Sequence, residues 1–413
     1  MILYGLDNSN FGDSKDYLES AKSFSDQSGY LREGLTSPFF RAPGFPFVIS
    51  ILWKIVGVEG IWIVKILNIA CHAGSTLLVY KLALRILSKQ QSFITGLVYS
   101  LNPFTLFMLI GVQTEPLITF LFLAFVSLAT STMNPFRSGA LALATLACVA
   151  VRPEYLFIVI PALVYLLVRG KISKRNINWF YSVGIILTLF SLMLWGQQNK
   201  QATGSFIPLT DAANFQLWQS SSKSLANNYP LFASYSPEFN SNQQMKLSIE
   251  IKQLMKEWGT DYSLGNIGTK SQYWKKAYLT NVKDHPLEYV LGVLYKAVIF
   301  WRPYLSPASY DLDLVLLSIV LILPLTLMLF FGVRKMVSER KELEVINIFL
   351  IGLAVLTMIH SVQLPEFRYR SPVFIPIATL AAAYWIVDKI AESKLFRKSP
   401  GSVRGASSIE NPE

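Results

Sequence analysis

Two sets of side chains in this chain are suited to chemistry. Asp13, Asp16, Glu115 and Glu366 are carboxylates able to take a proton from a hydroxyl. Arg41, Arg152, Arg368 and Arg370 carry guanidinium forks able to hold a phosphate in bidentate fashion. They lie in five short motifs: Gly12-Asp13-Ser14-Lys15-Asp16-Tyr17, Arg41-Ala42-Pro43-Gly44-Phe45-Pro46, Glu115-Pro116, Arg152-Pro153-Glu154 and Glu366-Phe367-Arg368-Tyr369-Arg370-Ser371-Pro372. Each motif sits at the end of an apolar run, and charge counting puts all five on the same, non-cytoplasmic side of a membrane. Cations set against the positive-inside bias, beside carboxylates at membrane depth, mark a functional cavity. The chemistry they suit is transfer from a phosphate-linked donor to a hydroxyl.

The elements that must position them are apolar helices. Of 413 residues, 52% are hydrophobic and 15% charged, where a soluble chain would carry about a quarter charged residues. The net charge of +11 does not indicate nucleic acid, because the basic residues gather in short loops between apolar runs. Cys71 and Cys148 both fall inside such runs, which gives neither a disulfide framework nor a metal site. Spans are expected at 61–80, 92–110, 116–132, 139–151, 153–168, 177–195, 311–333, 345–361 and 372–388, with 45–58 too short to cross and 287–301 lying at the interface. Inner loops are marked by Lys81, Arg85 and Lys89, by Arg137, by Arg169 to Arg175 and by Arg334 to Lys341. The chain divides into a first outer loop with its interfacial helix (1–60), a membrane bundle (61–196), a large outer loop region (197–302), C-terminal spans (303–390) and a polar, disordered cytoplasmic tail (391–413).

Every motif also has a plain structural reading. Asp13 as N-cap with Asp16 at the third helical position is a capping pattern. Glu115-Pro116 places a proline and a carboxylate where a helix N-terminus favours both. The arginine motifs read as surface turns with local ion pairs, and His360 at a span end reads as structural. Taken singly, each reading suffices, but none explains why all the motifs share one membrane face.

The order D-x-x-x-Y, R-x-P-G-F-P, E-P opening a helix, R-P-E, then R-Y-R-x-P resembles the GT-C glycosyltransferases. The nearest branch is the bacterial protein O-mannosyltransferase and aminoarabinose transferase group. Gly204-Ser205-Phe206-Ile207-Pro208-Leu209 through Asn214-Phe215-Gln216-Leu217-Trp218 is similar to the start of that group's outer loop. The resemblance implies an all-α polytopic bundle of about ten transmembrane helices, with a further helix ahead of residue 1. It implies a bacterial inner-membrane enzyme with an extracytoplasmic site. That site would move one sugar, with inversion, from a polyprenyl-phosphate donor to a hydroxyl on a glycan, lipid or protein. Asp13 matches the family's catalytic carboxylate and Glu115 its second acidic position, while Arg41, Arg368 and Arg370 match positions near the donor phosphate. Asp16, Tyr17, Arg152, Glu366 and His360 join the site without an assigned role, and a divalent metal ion is a candidate cofactor. The rival readings are a transporter or flippase for an anionic lipid-linked substrate, and a ligase that moves a whole glycan. Against the transporter, the chain carries no internal repeat.

Overall fold

The computed structural model of the chain describes residues 13–25, 41–132, 134–169, 175–203, 206–210, 212–221, 249–259, 271–305 and 312–397. The tail after 397, the residues ahead of Asp13 and residues 222–248 lie outside these, and the expected disorder of the tail with them. Among the described residues there are helices and no strand. In chain order the helices are α1 Ser14–Ser25, α2 Gly44–Val56, α3 Ile61–Ala83, α4 Lys89–Ser100, α5 Pro103–Phe107, α6 Glu115–Ala129, α7 Pro135–Val151 and α8 Leu156–Val168. They continue with α9 Arg175–Thr203, α10 Ala212–Ser221, α11 (249–257), α12 Ser271–Asp284, α13 Pro286–Phe300, α14 Leu312–Ser338, α15 Leu343–Val362 and α16 Phe367–Arg397.

Four stretches are long and apolar enough to cross a membrane: α3, α14, α15 and Phe367–Ile390 of α16. The shorter apolar helices α2, α6, α7 and α8 pack beside them. The chain is an integral, all-α membrane protein. On α14, Leu316, Leu317, Val320, Leu327, Phe330 and Phe331 stand outward, as a face against acyl chains requires. Inward, α6, α8 and α15 meet on an aromatic core. There Phe122 packs edge-on against Tyr155 at 5.7 Å and Phe349 at 5.5 Å between ring centroids.

Two boundaries differ from expectation, each for a local reason. The expected span 92–110 is broken after Ser100. Pro103 lacks the N–H needed to continue a helix, so Asn102 restarts the chain by accepting from the backbone N–H groups of Phe104 and Thr105. Residues 108–114 then run as buried, non-helical chain. They are tied down by Asn68 Nδ2 donating to the Gly111 carbonyl (2.9 Å) and by Ser14 Oγ donating to that of Val112 (3.3 Å). The last span begins at Phe367 rather than Pro372. Pro372 would leave the Arg368 carbonyl without its helical partner, and Ser371 Oγ donates to that carbonyl instead at 2.9 Å. The tight pair expected to turn at Arg152-Pro153 is α7 and α8, joined by a single 3-10 turn at Pro153–Tyr155.

The outer region carries its own small core on α10, α11 and α12, where Phe215, Trp218, Ile251, Met255 and Trp274 are buried together. Trp274 lies 4.5 Å from Trp218 and 4.6 Å from Trp258 between ring centroids. Lys296 of α13 fastens this unit to the bundle. Its ammonium donates to Ser220 of α10, whose hydroxyl donates to the Gln363 carbonyl at 3.0 Å.

Candidate active site

The site lies where α1 begins, α2 begins, α6 begins, α7 ends, α15 ends and α16 begins. All these termini are at the same end of the bundle, so residues from across the sequence converge. Gly44 permits a close approach: a Cβ there would stand 2.6 Å from the main-chain carbon of Ala150. The start of α2 therefore lies directly on the end of α7, which brings Arg41 and Arg152 to one wall.

Asp13 is gripped from two sides. Arg41 Nη2 donates to Oδ1 at 2.7 Å and Arg368 Nη1 to Oδ2 at 2.8 Å. Arg41 also spans Asp16, with Nε at 3.1 Å and Nη2 at 2.9 Å from the same Oδ2. The capping reading holds for the main chain, since the Asp13 carbonyl accepts from the Tyr17 N–H. Its carboxylate, however, is committed to the arginines. Burial pushes the Asp13 carboxyl up, but the guanidinium groups of Arg368 and Arg41 outweigh it and hold the group below its ordinary value. Arg41 is drawn down by burial and lifted further by Tyr17, Asp13 and Asp16, so it remains a cation. Tyr17 lies under that cation, 5.6 Å from its ring centre, and packs edge-on against Phe45. Burial raises its phenol, which keeps it neutral.

A second ion pair stands beside the first. Arg152 Nη2 meets Glu115 Oε1 at 2.5 Å, Nε donates to Thr114 Oγ1 at 2.9 Å, and Nη1 reaches Glu154 Oε1 at 3.3 Å. Glu115 is only 3% exposed and sits at the first position of α6, where the helix N-terminus favours its charge. It does not line the main cavity. It lines a separate, small crevice that mixes His72, Ser75, Thr119 and Ser371 with Tyr99, Phe104 and other apolar side chains. Glu115, expected as a catalytic residue at the family's second acidic position, is paired with Arg152 here and stands outside the main cavity.

Asp13, Tyr17, Arg41, Arg152 and Glu154 line a cavity of about 360 Å³. Its far wall is Leu209, Thr210, Ala212, Ala213 and Gln216 of the outer region, and α15 closes it with Ile359, His360 and Gln363. This is the described part of the 204–218 stretch singled out in the sequence; Gly204, Ser205 and Asp211 lie outside the described residues. Arg368 reaches Asp13 from the start of α16, and its Nε lies 3.1 Å from Glu366 Oε2.

Arg370 corrects an expectation. It is fully buried and donates to the carbonyl oxygens of Phe300 and, at 2.6 Å, Arg302, within the rings of Phe367, Phe374 and Trp301. It does not reach the cavity. The reason is the early start of α16: side chains two apart on a helix point to different sides, so only one of Arg368 and Arg370 can face Asp13. Sequence reasoning also missed Tyr369, whose ring lies 5.3 Å from the Arg152 guanidinium carbon and 5.0 Å from that of Arg368. An aromatic between two arginines at a helix start was the available signal.

The carboxylates here fit a metal ion poorly. Asp13, Asp16, Glu115, Glu154 and Glu366 each face an arginine, and among the described residues no three of His, Cys, Asp or Glu gather as ligands would.

Residues 40–195 match the model of the family described as dolichyl-phosphate-mannose-protein mannosyltransferase. That agrees with the resemblance to GT-C glycosyltransferases carried by the motifs, three of which fall within the matched stretch. No curated protein matches the chain. Among solved structures, the chain is similar to the archaeal oligosaccharyltransferase AglB from Archaeoglobus fulgidus in complex with an inhibitory peptide and a dolichol-phosphate. The identity is 11% and the TM-score 0.45, over 95% of this chain and 48% of that one. It is also similar to the crystal structure of the Archaeoglobus fulgidus oligosaccharyltransferase tethered by a disulfide to an acceptor peptide containing the NVT sequon. There the identity is 13% and the TM-score 0.43, over 95% and 47% of the two chains. The chain thus spans about half the length of these structures.

Proposed function

We propose that the chain is a membrane glycosyltransferase that moves a single sugar from a polyprenyl-phosphate donor to an acceptor hydroxyl, with inversion, and with Asp13 as the base. The observation that carries this reading is the Asp13 carboxylate held between Arg41 and Arg368 at the wall of a cavity. The family match of residues 40–195 supports a lipid-phosphate sugar as the donor class.

The chemistry follows from competition for the arginines. Without donor, Arg41 and Arg368 neutralise Asp13 and make it a weak base. A donor phosphate entering the cavity competes with Asp13 and Asp16 for these guanidinium groups and for Arg152. As the cations turn to phosphate, the Asp13 carboxyl rises back toward its ordinary value and gains basicity. The acceptor O–H then gives its proton to Asp13 as its oxygen bonds to the anomeric carbon. The anomeric C–O bond to phosphate breaks, and the phosphate leaves with the electron pair, stabilised by the arginines. No step runs through a metal. In a bacterial host the site would face the extracytoplasmic side of the inner membrane.

The direct test is a deletion strain complemented with wild type or Asp13→Asn. Mass spectrometry of its envelope glycans should show one sugar missing in the deletion and restored only by wild type. In vitro, wild type should release polyprenyl phosphate from a labelled donor in step with sugar transfer. Restoration by Asp13→Asn would sink the base assignment. Unchanged glycans in the deletion would sink the activity.

A further inference from the structure

His360 offers the cavity something that the proposed chemistry does not use. Its ring is stacked by Tyr369, with centroids 4.4 Å apart and planes 2° from parallel, and by Phe300 at 5.3 Å and 17°. Nδ1 lies 3.1 Å from the Leu364 carbonyl oxygen. A carbonyl only accepts, so Nδ1 carries the proton and donates, which leaves Nε2 as an acceptor. That Nε2 is buried with no hydrogen-bond partner, on a side chain 4% exposed that lines the main cavity. With the ring faces stacked and the Nδ1 edge held, Nε2 is the ring position left for a ligand, and a hydroxyl reaches it once the side chains over it part. A buried acceptor left unmet costs free energy, and on a residue that lines a cavity a ligand is the partner that would repay it.

The geometry points to His360 Nε2 as the acceptor for a hydroxyl of the transferred sugar, so that His360 is a specificity-determining residue. This rests on the glycosyltransferase reading. Tyr369 separates the imidazole from the guanidinium groups of Arg152 and Arg368 by one ring. A ligand whose phosphate lies on those arginines would carry its sugar, one bond on, along the cavity wall that His360 shares. A neutral acceptor there is matched by an O–H donor and repelled by a phosphate oxygen. The same column fixes the ring by its neighbours, since Arg370 lies against Phe300 at 5.8 Å. The imidazole is thus oriented before any sugar arrives.

The test uses the full-length protein in lipid nanodiscs with two kinds of probe: bare polyprenyl phosphate, and a panel of polyprenyl-phosphate hexoses. Wild type should bind at least one hexose form more tightly than the bare phosphate. His360→Asn keeps a donor at the Nδ1 position for Leu364 but has nothing at Nε2. It should melt as wild type does, bind bare polyprenyl phosphate as wild type does, and lose about tenfold of the hexose preference, as one lost hydrogen bond predicts. His360→Gln, whose Oε1 reaches the place of Nε2, should restore part of it. A full hexose preference in His360→Asn, or no preference in wild type, overturns the assignment. Arg41→Ala provides a separate reading of the parent hypothesis. If it binds bare polyprenyl phosphate as tightly as wild type, the phosphate cradle falls, whatever His360 does.

Discussion

At the scale of single residues, Asp13 is both an ion-pair partner and the proposed base, and the two roles separate by measurement. Asp13→Asn keeps the size and the capping main chain while removing the charge. Single-turnover transfer should fall about a hundredfold to ten-thousandfold, the range of general-base contributions, while donor binding persists. A mere cap would cost about 1 kcal/mol of stability and leave transfer near normal. Titration gives a second check. The folded Asp13 carboxyl is held below its ordinary value of 3.8, so its ion pairs contribute stability that is complete above that value. The contribution is lost as pH falls through the lower, folded value. Melting followed from pH 6 down to pH 2 should show a steeper acid loss in wild type than in Asp13→Asn. Equal slopes would mean that the arginine grip is not formed in solution. The arginines divide as well. Arg368→Ala should weaken donor binding and lower melting only by the share of the Asp13 ion pair it carries, because the side chain is partly exposed and reaches Asp13. Arg370→Ala should instead lower the melting temperature, because two buried carbonyls lose their donor, at about 1–3 kcal/mol for each group left unmet. The candidate arginines and acids were legible in sequence because charge at the ends of apolar runs is anomalous wherever it occurs. Which of Arg368 and Arg370 faces the site was not, since that depends on where α16 starts. Glu115 was legible as a candidate for the same reason as the arginines, but its pairing with Arg152 was fixed only by packing.

At the scale of elements, the site depends on helix ends held at short range. The start of α2 lies on the end of α7 at Gly44, and α14 crosses α16 at Gly332, where a Cβ would stand against the Ala381 carbonyl group. Both contacts are backbone against backbone, so neither neighbour can turn aside as a side chain would. Gly44→Ala should therefore shift α2 on α7 and destabilise the protein by about 1–3 kcal/mol, the usual cost of overpacking. It should also weaken donor binding, because Arg41 precedes α2 and Arg152 follows α7. Gly332→Ala should destabilise comparably and leave donor affinity in the surviving folded protein unchanged, since its contact is far from the cavity wall. Melting and donor titration on the two variants decide between these outcomes, and equal losses of affinity would show that the α2–α7 contact has no special part in placing Arg41. Apolar runs gave the element positions well where a helix is uniform, as for α6, α7, α8 and α13. They failed over 92–110, where hydropathy is continuous but Pro103 and Asn102 restart the helix. They also failed at Pro372, where a serine hydroxyl repairs the lost hydrogen bond and lets the helix begin five residues earlier. Composition does not register such repairs.

At the scale of the whole molecule, charge and connectivity agree. The site-bearing ends of α6, α7, α8, α15 and α16 lie at one end of the bundle. At the other end, Arg85 meets Glu342 at 3.4 Å, while Lys335 pairs with Asp388 and, at 3.5 Å, with Glu339. The loops at that end are basic and carry these ion pairs, which would suit an end facing anionic lipid headgroups. Loop charge gives the expected orientation of the two ends, because the positive-inside bias acts on short loops. The fold of the outer region was not, because α10, α11 and α12 bury their aromatics against one another through contacts distant in sequence. If the reading is right, the two ends are reached from opposite sides of the membrane. Cys71 and Cys148 are buried, so they give a quiet background for labelling. Lys275→Cys on α12 and Lys341→Cys before α15 place single thiols at exposed positions of the two ends. In intact cells a membrane-impermeant maleimide should label the first and not the second, and both should label once the membrane is opened. Labelling of Lys341→Cys alone in intact cells would turn the protein over. The cavity of Asp13 and Arg152 would then face the cytoplasm, and the proposed extracytoplasmic transfer would have to be abandoned.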